Sequence, residues 1–127
     1  MNNETDTLFD RLGGTSGIKN IVEEMYRRVL EDPELAPFFE NVPMERLRKM
    51  QYEFLTAALD GPVHYDGREL NEIHRGRGIT GHHFAKFCSH FADALEANGA
   101  AARDIDNSLG RLATFKDKIT GEANVDG

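Results

Sequence analysis

Apolar side chains recur along this chain at steps of three and four residues, in runs cut by glycine and proline. That spacing admits amphipathic helices and turns, because a half-buried strand would need strict alternation and none is present. The fold class is therefore all-α. In "TLFDRLGG", Leu8, Phe9 and Leu12 share a helical face, and Gly13-Gly14 ends the helix in a sharp turn. Thr15 or Ser16 is expected to cap a second helix with Ile18, Ile21, Val22, Met25, Tyr26 and Val29 inward, ending near Asp32-Pro33. "PELAPFF" reads as a short apolar helical corner. Pro43 opens a third long helix whose buried face holds Leu47, Gln51, Phe54, Leu55 and Ala58, and "LDGP" stops it.

The segment 63–78 is polar and glycine-bearing, a loop carrying a short helix around Leu70 to His74. Thr80 then caps a long helix with Phe84, Phe87, Cys88, Phe91 and Leu95 on one stripe, closed by Gly99. A last helix is expected from about Arg103 to Ile119, with Ile105, Leu109, Leu112, Phe115 and Ile119 inward. Residues 1–127 make one domain, with its core over about 8–120 and a disordered tail at 121–127.

Composition removes several classes of function. The formal net charge of −7 repels polyanions, and no Lys/Arg-dense stretch interleaved with aromatics offers a phosphate-tracking groove. Nucleic acid is not an expected partner. No apolar run approaches the roughly 20 residues that span a bilayer, and the polar start "MNNETDT" lacks the apolar stretch of a signal peptide, so a cytoplasmic location is expected. The single cysteine, Cys88, cannot form an internal disulfide and reads as a small apolar residue on a helix face. His82, His83 and His90 invite a zinc reading, but no ligand spacing of a known zinc motif accompanies them.

Three residues are out of place in a simple bundle. Tyr26 and Gln51 interrupt apolar faces, and His74 sits in a glycine-flanked short helix. A buried tyrosine and glutamine need partners. They can satisfy each other, the backbone, or a polar ligand between them, and the residues alone leave these open.

The stretches "LFDRLGG", "YRRVLEDPELAPFF", "QYEFLTAALDGP" and above all "IHRGRGITGHHF", in this order, resemble the truncated haemoglobins of group I over residues 8 to 120. The resemblance implies a two-over-two sandwich of helices around a haem. Carried over position by position, it makes His74 the proximal iron ligand, and Tyr26 and Gln51 the distal donors to the partial negative charge on bound dioxygen. It places Phe39 against the porphyrin with Phe38 beside it, Leu47 on the distal side and Phe84 in the haem-binding set. Arg48 and Arg77 match positions that pair with the haem propionates.

Departures refine the expectation. Leu47 stands where other globins carry a distal histidine, and no histidine precedes His64. Met50 stands near where some relatives place an internal sixth ligand, and an open distal site is expected in preference to thioether ligation. The last helix lacks the histidine through which some relatives attach haem, so noncovalent haem b is expected. Leu55 replaces a phenylalanine thought to gate a gas tunnel in some members.

The resemblance implies binding of dioxygen, nitric oxide and carbon monoxide, and conversion of nitric oxide to nitrate by bound dioxygen, in a monomer. Turnover would need an external electron-donating reductase, since 127 residues hold no second cofactor domain. A non-catalytic oxygen carrier or gas sensor and a haem-free helical interaction module are the rival readings.

Overall fold

A computed structural model of the chain describes residues 6–61 and 77–120, the Lys118 side chain excepted. Six helices are found among the described residues: α1 (Leu8–Arg11), α2 (Gly14–Leu30), α3 (Met44–Ala58), α4 (Gly81–Ala97), α5 (Ala102–Ala113) and α6 (Lys116–Thr120). A 3-10 turn, Ala36–Phe39, forms the corner between α2 and α3. The regular structure described is thus entirely helical, as the spacing predicted. The short helix expected around Leu70 to His74 and the tail at 121–127 lie outside the described residues.

Helix α2 is the spine. It packs against α3 and α4, and α4 packs in turn on α5 and α6. Its Ile18, Ile21, Val22, Met25, Tyr26 and Val29 are all buried, joined by Leu8, Leu55, Leu59, Phe91 and Leu95 from the neighbouring elements. Burying each large apolar side chain contributes about 1.5–3 kcal/mol of transfer free energy, which is what holds helices of modest length together.

The start of α2 departs from expectation. Neither Thr15 nor Ser16 caps it. The N-cap is Gly13, at φ 102°, with no side-chain cap hydrogen bond. The Gly17 amide donates to the Gly13 carbonyl at 3.1 Å, so the helix extends back and takes Thr15 and Ser16 into its first turn. The entry is tight: a Cβ on Gly17 would stand 2.0 Å from the Leu12 carbonyl oxygen. Helices α1 and α2 can meet this closely only with glycine there.

The other long helices keep their expected ends. Thr80 caps α4 in a capping box with His83, and past its end Gly99 takes φ 85° while the Ala100 amide returns to Leu95 at 3.0 Å. Helix α3 stops at Ala58, and the Gly61 amide donates to the Thr56 carbonyl at 2.6 Å.

The last expected helix is two helices. Thr114 Oγ1 donates to the Arg111 carbonyl at 2.7 Å, and the Phe115 amide closes a tight turn on Leu112 at 2.9 Å. These local bonds compete with the helical ladder. The turn leaves the Phe115 ring edge-on to Phe54, with centroids 5.0 Å apart. Of the inward residues expected here only Leu112 is fully buried. Ile105, Leu109, Phe115 and Ile119 are half-buried against the core, while Asp104 and Ser108 are buried. Asp104 is reached by Arg11 Nε at 3.0 Å, and Ser108 Oγ donates to the Asp104 carbonyl at 2.7 Å, so both of these buried side chains are partnered.

Candidate functional site

A pocket opens between α2, the corner, α3 and α4. Its walls are almost wholly apolar: Leu35, Phe38 and Phe39 from the corner, Leu47, Met50 and Phe54 from α3, Phe84 and Phe87 from α4, with Ile79, Leu112 and Ile119 completing them. Among the described residues, the polar groups on its lining are those of Tyr26, Gln51 and His83. Large apolar walls with a few convergent polar atoms are the ordinary makeup of a small-molecule site.

Tyr26 and Gln51, the two polar residues on apolar faces, meet in this pocket. Gln51 Nε2 donates to Tyr26 Oη at 3.1 Å. Tyr26 is 2% exposed, and its ring stands edge-on to Phe39 and Phe87, at centroid distances of 5.8 and 6.4 Å. Burial pushes its hydroxyl far above the ordinary phenol range, against smaller opposing effects of the Gln51 bond and the Arg48 charge. The phenol therefore stays protonated. Because its oxygen already accepts from Gln51, its own O–H is left to donate, and chained donors polarise one another.

The structure brings Tyr26, Phe38, Phe39, Leu47, Gln51 and Phe84 onto one lining. Arg48 is not on it. Its Nε stands 3.5 Å from Glu23 Oε1, beside a second, polar concavity that also touches Asn20 and Arg27. Arg48 Nε is buried with no hydrogen-bond partner among the described residues. Arg77 is exposed on the segment leading into α4. His74 lies outside the described residues.

Met50 lines the pocket and is 40% exposed, at its mouth. Phe87 and His83 were not expected on the lining. Phe87 had a signal, standing three residues after Phe84 on the same stripe, whereas His83 had only its place three after Thr80.

The other α4 histidines pair with carboxylates. His90 Nε2 meets Asp32 Oδ2 at 2.8 Å, His82 Nε2 meets Glu34 Oε2 at 2.9 Å, and Lys86 Nζ lies between the two acids, 3.0 Å from Asp32 and 2.7 Å from Glu34. Asp32 is buried, and the His90 bond, the Glu34 amide and Lys86 hold its carboxyl far below the ordinary range. This clasp ties the corner bearing Phe38 and Phe39 to α4. The Cys88 thiol is half-buried, and burial pushes it up to about 11, which leaves it protonated at neutral pH.

Residues 7–121 match the bacterial-like globin family. The chain is 43% identical to the group 1 truncated hemoglobin GlbN of Mycolicibacterium paratuberculosis over 121 residues, covering 94% of this chain and 89% of that one. The crystal structure of truncated hemoglobin from Tetrahymena pyriformis, in its Fe(III) form, superposes with a TM-score of 0.85 at 30% identity, covering 90% of this chain and 97% of that one. The fold alone also matches a Synechococcus 2/2 hemoglobin with covalently attached heme, at a TM-score of 0.84 and 24% identity, over 91% of this chain and 98% of that one. The chain belongs to the bacterial-like globins, among the group 1 truncated hemoglobins. The common chemistry of that family is haem-based gas binding.

Proposed function

We propose that this protein holds noncovalent haem b in the α2–α3–α4 pocket and binds dioxygen, nitric oxide and carbon monoxide there. The observation that carries the reading is the Gln51–Tyr26 pair, a polarised hydroxyl donor among largely apolar walls. The pocket fits the group: aromatic walls for the flat face of a porphyrin, and a donor set that recognises a ligand gathering negative charge.

His74 would hold the metal, Phe38, Phe39, Leu47 and Phe84 would pack the macrocycle, and Arg77 would meet a carboxylate at the exposed edge. Arg48 acts differently, through its charge near Tyr26, because its guanidinium faces Glu23. No histidine follows His90, which supports noncovalent attachment. When bound, haem supplies the site that coordinates a diatomic gas. Tyr26 donates to the polar ligand, Gln51 orients and strengthens that donor, and the apolar walls exclude water.

We further propose that nitric oxide is oxidised to nitrate here, NO + O₂ + e⁻ giving NO₃⁻, with the electron from a separate reductase. A single cysteine, which can form no internal disulfide, supports a cytoplasmic setting, and no helix among the described residues is long and apolar enough to cross a membrane.

Absorption spectra of purified protein titrated with haem, in ferric, ferrous and carbon monoxide forms, test the first reading. Five-coordinate ferrous spectra are expected, and a protein that takes up no haem would be a helical interaction module instead. Sustained nitrate production with a reductant separates the oxygenase from a carrier or sensor, in which nitrate stops at one equivalent.

A further inference from the structure

His83 lines the pocket on the first turn of α4, and its hydrogen bonds determine what its ring can do. The Thr80 backbone amide, which can only donate, points at His83 Nδ1 from 3.1 Å. Thr80 Oγ1 also lies 3.1 Å from Nδ1 while accepting from the His83 amide at 3.2 Å. Nδ1 must therefore be the acceptor, and a neutral ring must carry its proton on Nε2.

That Nε2–H has no hydrogen-bond partner among the described residues. A protonated Nε2 is a donor and not a metal ligand. Phe38 stands edge-on to the ring with centroids 4.8 Å apart, so the donor is fixed in orientation as well as in tautomer. The ring is half-buried, at the rim where the apolar wall meets solvent. A fixed donor at such a rim suits the carboxylate of an amphipathic ligand whose apolar body fills the cavity.

We propose that His83 is a ligand-binding residue that donates from Nε2 to a carboxylate of the bound porphyrin. The assignment rests on the haem reading of the pocket, and it gives the exposed edge a donor that carries no permanent charge, set by a capping box.

The test uses the apoprotein with two probes, metal-free protoporphyrin IX and its dimethyl ester, whose binding is read from porphyrin absorption and fluorescence. His83→Glu keeps an acceptor for the Thr80 amide at a position where glutamate favours a capping box, so the fold should hold or gain stability. It replaces the donor by an anion. The expected result is a dissociation constant for the diacid raised about tenfold, the scale of one hydrogen bond to a charged group, with the ester changed by less than about twofold. His83→Gln, which keeps both an acceptor and a donor, should bind the diacid nearly as wild type does. Ring ¹⁵N correlation spectra of the apoprotein should show the proton on Nε2.

Equal losses for diacid and ester, no loss for either, a glutamine variant as weak as the glutamate one, or a ring protonated on Nδ1 would each overturn the assignment. Wild-type protein that takes up neither porphyrin overturns the haem reading, and the assignment with it.

Discussion

The bond from Gln51 Nε2 to Tyr26 Oη shapes the expected behaviour of both side chains. Two donors aimed side by side at one ligand would each lose part of its effect when replaced. In the proposed reading the amide acts through the phenol, because Gln51 Nε2 donates to Tyr26 Oη, and the two form a series. Tyr26→Phe removes the terminal donor and is expected to speed dioxygen release about tenfold to a hundredfold, the equivalent of 1.5–3 kcal/mol for a hydrogen bond to a charged acceptor. Gln51→Leu should speed it less, and in the double variant the glutamine change should add little beyond Tyr26→Phe. Carbon monoxide gathers less charge and should change far less. Stopped-flow dissociation of both gases in the three variants checks this, and equal changes for the two gases would show that only pocket shape had altered. The sequence marked both residues as misplaced polar groups, but their order in the relay depended on which atom faces which.

At the scale of elements, two glycines predict opposite outcomes. Gly17→Ala drives a Cβ to within 2.0 Å of the Leu12 carbonyl oxygen and forces α1 away from α2, which should cost about 1–3 kcal/mol. Gly110 lies inside α5 with nothing within 4 Å of an added Cβ, so Gly110→Ala should add about 0.5–1 kcal/mol through backbone entropy and helix propensity. Urea unfolding of the two variants measures both signs. The clasp between the corner and α4 carries a pH prediction. Because the folded-state value of Asp32 is lowered, its contribution to stability is present above the unfolded carboxylate range, near 3.9, and is lost as pH falls through the folded value. Asp32→Asn should lower the melting temperature at neutral pH and flatten its fall in acid, as differential scanning calorimetry across pH would show. None of this clasp could be read from spacing, since Asp32 and His90 are 58 residues apart.

For the whole molecule, a ligand that binds only the folded chain stabilises it by mass action. Haem at about a hundred times its dissociation constant should add about 2.7 kcal/mol, which raises the melting temperature of a domain this size by several degrees. A melting curve with and without haem measures it, and an unchanged midpoint would count against a haem site. The sequence by itself determined the helical class, the long helices, the buried face of α2 and the family resemblance, because three-and-four spacing and glycine or proline breaks act locally along the chain. It misplaced the start of α2 and joined α5 to α6. Those boundaries turn on a close approach to the Leu12 carbonyl and on the packing of Phe115 against Phe54, contacts with no local signature. Tertiary structure alone decided that Tyr26 and Gln51 bond each other at one pocket, that Arg48 turns to Glu23, and that His83 faces the rim with its tautomer set by Thr80. Each depends on side-chain directions in three dimensions, which the order of residues constrains only through the packing of the whole.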